Sequence, residues 1–262
     1  MGRKARASPA DVDTAPRRII PFYSDRRGKE FREFSNFYRD APPYDYTLPT
    51  FARQVGLPTT VQCEFSEKAI MLTKAALMGD EEMFTEIMRA TDPRTCKSLG
   101  RGVRNFDEGL WMQHLEEVAF EVIRQKFEGN AHLRSVLLST GNAILAEASP
   151  NDTLWGIGIG TTDARALCVD QWLGRNILGF ALMKARGAIR GDGAELMPAG
   201  IPALKAPEEP DPPQHAVAPG ALGRADCCAG VGPGSEARVP PGEATLPEED
   251  LPSARRRRWA AT

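Results

Sequence analysis

All but one of the aromatic residues in this 262-residue chain fall between residues 18 and 190, as does nearly all of its periodic apolar sequence; Trp259 is the exception. That confinement decides where a core can form. Residues 191–262 carry twelve of the twenty-one prolines. Such a segment cannot bury enough apolar area to offset its chain entropy. It is read as a Pro/Gly/Ala-rich disordered tail, and the basic, polar residues 1–17 as a flexible N-terminal segment. The span 18–190 is left as a single domain of ordinary size.

Helical spacing dominates within that span. Phe65–Met78 repeats apolar residues at helical intervals and stops at Gly79. Asp80 suits the N-cap of a helix over Glu81–Arg89, with Glu81 and Glu82 at the positive end of its dipole. Pro93 closes that region. Leu110–Phe127 is the longest helical segment, with Leu115, Val118, Val122 and Ile123 in one stripe and Gly129 at its end. Asn130 can cap Ala131–Ser139. Gln171–Ile189 reads as a last helix interrupted by Gly174 and Gly179. Each of those glycines costs about 1 kcal/mol relative to alanine, which implies close packing there against backbone or ligand. Short extended pieces are predicted near Ile19–Tyr23, Ala143–Glu147 and Leu154–Ile159, and the proline-rich Ala41–Pro58 as a long surface loop bordering a cleft. No strand–helix alternation suggests a doubly wound sheet. The predicted fold is mainly α, an α+β domain with a few short strands.

Composition removes several function classes. The net charge of −2 gives no global electrostatic case for nucleic-acid binding. No apolar run approaches the length of a membrane span. No hydrophobic segment follows the basic Met1–Arg6, so no secretory signal is read, and Arg6 stands where a myristoylation motif wants Ser or Thr. The five cysteines form no C-x-x-C pair, which fits an intracellular, cytoplasmic setting. Arg255–Arg258 is a solvated charge run, a nuclear-localisation signal or a weak anionic contact. His114, His132 and His215 lack ligand spacing, so neither a metal nor a cofactor is expected.

The chemistry-bearing residues come in blocks. Glu67 and Lys74 lie seven residues apart on one helical face with Met71 between them. They are either the working parts of an active site or a structural ion pair. In Phe34–Tyr38, Asn36 sits between aromatics, suited either to a flat ligand or to the core. Lys97–Arg101 with Arg104 reads as a basic, glycine-containing loop that either holds phosphate or is simply solvated. Glu147 and Asp152 form a carboxylate pair ahead of Trp155 and Gly156, although Asp152 also suits a turn and Trp155 a core. Arg186 either caps the last helix or reaches toward Asn176.

In this order the blocks resemble the NADAR (YbiA-like) family. The matching segments are Ser35–Tyr38, Ser66-Glu67, Lys74-Ala75, Gly79-Asp80, Lys97–Arg101, Trp111, Lys126-Phe127 with Asn130 and Leu133, 137–141, Glu147–Asp152, Trp155–Gly158 and Trp172–Gly179, over roughly residues 19–190. Two departures stand out: Lys68-Ala69 replaces the His or Gln and aromatic of many relatives, and 41–58 is a Pro-rich insertion. The resemblance implies an N-glycosidase that hydrolyses a ribosyl carbon–nitrogen bond. The implied substrates are phosphorylated riboflavin-pathway intermediates or ADP-ribose attached to a nucleobase such as guanine, in nucleic acid or free. It implies Glu67, Lys74 and Asp152 as catalytic residues. Glu67 would work as acid–base or charge stabiliser, and Lys74 as an amine that forms an imine. It further implies substrate contacts from Asn36, Phe37, Tyr38, Lys97, Arg101, Trp111, Trp155, Gly156 and Asn176. A catalytically silent ADP-ribose or nucleotide-binding module is the alternative.

Overall fold

The computed structural model describes residues 17–191. All of the tail 191–262 but Gly191, including its Arg255–Arg258 run, and nearly all of segment 1–17 lie outside the described residues. Among the described residues six α-helices form: α1 Ser66–Leu77, α2 Glu81–Arg89, α3 Pro93–Arg101, α4 Glu108–Glu128, α5 Ala131–Ser139 and α6 Ile177–Arg190. Four short strands accompany them: β1 Ile19–Phe22, β2 Tyr44–Thr47, β3 Thr60–Cys63 and β4 Ile144–Glu147. Strands β1 and β4 pair in parallel, Ile19 beside Ile144 and Phe22 beside Glu147. Strands β2 and β3 pair antiparallel, Tyr44 beside Cys63. The result is a helix-rich α+β domain. None of its described helices is long and apolar enough to cross a membrane.

Caps set most helix starts, because the first N–H groups of a helix have no partner inside it. Asp80 accepts from the Met83 N–H, Asp107 from Leu110 and Asn130 from Leu133. Asp80 does more: its carboxylate also takes bonds from the backbone and guanidinium of Arg104. Those bonds hold its carboxyl down at about 2, from 3.8. Asp92 accepts from Arg94 and Thr95, with Pro93 in the first helical position, where a missing N–H costs nothing. Pro93 therefore opens a helix rather than closing a region, and Lys97–Arg101 is helical rather than a loop.

Helix α1 runs through the middle of the domain, packed by α2, α3 and α4, while α4 packs on α6 and α6 on β4. The proline-rich segment is not a surface loop. Tyr44, Tyr46 and Leu48 are buried, with the Tyr46 hydroxyl bonded to Thr73 of α1. Leu154–Ile159 is not a strand. It is a loop whose backbone bonds to the end of β4 and to residues 173–178: the Ile157 N–H donates to the Glu147 carbonyl, and the Leu173 N–H to the Ile157 carbonyl. Helix α6 starts at Ile177 rather than at Gln171, because Asn176 takes a left-handed conformation (φ 53°). Arg186 is buried, and its guanidinium donates to the Thr140 hydroxyl at the end of α5.

The close approach expected of Gly179 is present, since a Cβ there would collide with the Leu145 carbonyl and the Asn176 amide. Neither can yield, one being sheet backbone and the other a buried amide bonded on both sides. Gly179→Ala is expected to cost about 2–3 kcal/mol by overpacking, read as a shifted denaturation midpoint with unchanged m-value. Asp80→Asn, which keeps the shape but loses the charge, is expected to cost about 1–2 kcal/mol at neutral pH. Because the folded carboxyl is depressed, wild-type Asp80 contributes fully above 3.8 and loses that contribution as pH falls through about 2. Urea titrations of both proteins should therefore converge on acidification; a constant gap would assign the cost to shape alone.

Candidate active site

A cleft of about 400 Å³ opens where the N-terminus of α1, the face of α3 and the C-terminal end of β4 meet. Helix α1 supplies Glu67 and Met71, and α3 supplies Arg94 and Lys97. The end of β4 and its following loop supply Glu147, Ser149, Asp152 and Trp155. The turn after β1 adds Tyr23–Arg26, and the segment before β2 adds Ser35–Phe37.

Backbone bonding fixes these walls. The side chain of Phe65 cannot cap α1, so the unpaired N–H of Glu67 donates instead to the Asn36 carbonyl at 2.9 Å. That bond holds the Asn36–Phe37 segment against the acid. From beneath, the fully buried Lys126 ammonium donates to the carbonyls of Glu33 and Ser35. Burial lowers the Lys126 pKa to about 7. On the opposite wall, Asn176 pairs with β4 as a neighbouring strand would: its side-chain oxygen accepts from the Glu147 N–H and its amide nitrogen donates to the Leu145 carbonyl. The Asp152 carboxylate closes a turn by accepting from Leu154 and Trp155, at 3.0 and 2.8 Å.

Two carboxyl groups in this cleft are strongly perturbed. Burial pushes Glu67 up to about 7; the neighbouring Asp152 charge adds to the rise, while the Lys97 and Arg101 cations oppose it. Burial pushes Glu147 up to about 8, again with a contribution from Asp152. One Glu147 oxygen, Oε2, is buried without a hydrogen-bond partner, as is the Asn36 side-chain oxygen. An acid near neutrality in a partly enclosed cleft is suited to proton transfer. The cations Arg26, Arg94 and Lys97 are suited to an anionic group, and the rings of Tyr23, Phe37 and Trp155 to a flat one. Among the described residues no histidine, cysteine and carboxylate cluster is arranged to hold a metal.

Of the residues that the resemblance implies for the site, the cleft gathers Asn36, Phe37, Glu67, Lys97, Asp152 and Trp155. The others lie elsewhere. Lys74 donates to the Gly100 carbonyl at 2.7 Å and stands 4.0 Å over the Phe106 ring, so it makes no ion pair with Glu67. Burial lowers its pKa. Tyr38 is buried under Arg32 and Lys126. Trp111 belongs to the core. Gly156 and Asn176 bond the loop and β4 together, and Arg101 acts on Glu67 only through its field. Arg104 is engaged by Asp80 and Glu82. Glu147 was visible as half of a carboxylate pair but carried no role. Arg26 and Arg94 were missed, and the spacing of Arg94 to Lys97 becomes a signal only once Pro93 is read as a helix start.

Comparison with known proteins gives this geometry its family. The NADAR domain family profile matches residues 22–190. N-glycosidase R617 of Acanthamoeba polyphaga mimivirus is 41% identical over 121 residues, 46% of this chain and 71% of the relative. N-glycosidase YbiA of Escherichia coli is 34% identical over 168 residues, 64% of this chain and 86% of the relative. The NMR structure of E. coli YbiA superposes with a TM-score of 0.50 at 28% identity, covering 70% of this chain and 91% of that one. With most of its described residues inside that match, and a cleft of buried carboxyls, cations and rings at its centre, the chain belongs to the NADAR domain family.

Proposed function

We propose that this chain hydrolyses the N-glycosidic bond of a phosphorylated ribosyl compound. The observation that carries this reading is the buried Glu67 carboxyl, tuned to about 7 and facing a cleft that also holds cations and aromatic rings. The N-glycosidase names of R617 and YbiA support it. Breaking a ribosyl C–N bond builds positive charge on the sugar carbon and leaves a nitrogen that needs a proton. Ionised Glu67 can stabilise that charge and take a proton from the attacking water. Arg94, Lys97 and Arg26 would hold phosphate, and Phe37 and Trp155 would stack on the base. A cleft of about 400 Å³ is near the small end of ligand sites. It favours a monophosphorylated ribosylamino-pyrimidine, of the kind found early in the riboflavin pathway, over an ADP-ribosylated guanine.

The test offers both substrates to the full chain and follows release of ribose 5-phosphate or ADP-ribose. Cleavage of the first is expected, and Glu67→Gln is expected to lower kcat/KM by about 100-fold or more while the fold is retained. Because Glu67 works ionised, activity should rise with pH through about 7. Tight ADP-ribose binding without cleavage of either compound would make the chain a binding module instead.

A second reading, a covalent route in which Lys97 attacks the sugar carbon instead of holding phosphate, rests on one observation: Lys97 lines the same cleft as Glu67, with its amine 5.7 Å from the Phe37 ring centroid. Lys74, the lysine the family pattern suggests for an imine, has its amine on the Gly100 carbonyl. If an imine forms, borohydride reduction and peptide mapping should locate it on Lys97. An adduct on Lys74 would return the role to that residue and require its amine to leave Gly100.

A further inference from the structure

We propose that Glu147 is the proton donor to the leaving nitrogen, with Glu67 facing the sugar carbon from the opposite wall. This rests on the N-glycosidase reading of the cleft.

The two glutamates differ in what surrounds them. Glu67 stands at the positive end of α1 and feels two cations, Lys97 and Arg101, both of which favour its charged form. Glu147 ends β4, and the one charge acting strongly on it is the negative Asp152. Its backbone is pinned by the Asn176 amide, and its Oε2 has no hydrogen-bond partner although it is buried. A carboxylate there would leave a buried charge unpaired, which is costly. A neutral carboxyl keeps a proton on hand and a ligand nitrogen can accept it. The cleft's other ionisable groups are Tyr23, Asp25 and Arg26 from the β1 side and Arg94 and Lys97 from α3; no hydrogen bond joins any of them to Glu147. Two carboxyls whose environments separate their proton affinities mark a division into base and acid.

The step balances as follows. The C–N bond breaks with its electron pair going to nitrogen, which takes the Glu147 proton. Water oxygen bonds to the sugar carbon while Glu67 takes one water proton. The products are the free amine and the ribose hemiacetal. A proton passing from Glu67 to Glu147, directly or through solvent, restores the starting state.

The expected profile is a bell: activity climbs as Glu67 ionises through about 7 and falls as Glu147 loses its proton through about 8. The experiment measures kcat/KM against pH for the full chain on a ribosylamino-pyrimidine 5-phosphate. Glu147→Gln keeps size and polarity but has no acidic proton. It should lose about 100-fold or more in rate, and its residual activity should lack the alkaline fall. The deficit should shrink along a series of substrates whose leaving amines are made less basic, a trend that a structural defect would not produce. Wild-type rate, or a retained alkaline limb, overturns the assignment. Should Glu147→Gln fail to fold, Asp152→Asn provides the second test. Removing that negative neighbour should move the alkaline limb to lower pH, and an unmoved limb overturns the inference. If the wild-type chain cleaves no N-riboside at all, it is the N-glycosidase reading that falls. If it cleaves and Glu147→Gln is indifferent, only the role of Glu147 falls.

Discussion

Helix α1 is enclosed almost completely: nine of its twelve residues are buried, among them the charged Glu67 and Lys68. A helix with no solvent face has to be wrapped on all sides, and the rest of the domain arranges itself to do so. Helices α2, α3 and α4 cover its length, and β2 reaches it through the Tyr46–Thr73 hydroxyl pair. Lys68 is made tolerable by its 2.9 Å pair with Glu64. Glu67 is made tolerable differently, by the cleft that opens at the first turn. The position of the site therefore follows from the one end of α1 that is left unsealed.

The cleft's electrostatics follow from the same enclosure. Little water reaches the Glu67 and Glu147 carboxyls, so each is penalised for ionising, and the Asp152 charge raises both. What distinguishes the two acids is the side of the cleft from which cations come. Helix α3 packs closely on α1 and carries Lys97 to the cleft, an approach that depends on Gly100. A Cβ there would strike the Met71 side chain, so that side chain or α3 itself would have to shift.

Much of this frame was legible in the sequence. Asp80 and Asn130 announce their helices by their own side-chain chemistry, and Gly79 its stop by backbone freedom. These are local effects, and local signals report them. Strand β2 was hidden because Pro42, Pro43 and Pro49 hem in the two-residue alternation of Tyr44 and Tyr46. Helix α3 was hidden because Pro93 is both a helix breaker and a favoured first residue, and only the Asp92 cap decides between them. In the site, Glu67, Asp152 and Trp155 stood out in the order of matching blocks. Lys74 and Asn176 also stood out, yet they lie in bonds to backbone, because a repeated pattern marks framework and chemistry alike. Glu147 could not be weighted, since its proton affinity depends on burial and on the nearby Asp152, which the fold brings to it.

The pairing of β1 with β4 has a consequence for how this protein comes into being. Ile19 meets Ile144 near opposite ends of the domain, and the turn after β1 forms one wall of a cleft whose other wall follows β4. During synthesis α1 to α3 can associate early through short-range contacts. The strand that emerges first must wait, one edge uncovered, until well over a hundred further residues have left the ribosome. Closing so long a loop is slow, and the waiting edge is open to wrong partners. The candidate cleft is thus among the last features to assemble, so a nascent or truncated chain can hold most of its helices and still lack the completed cleft.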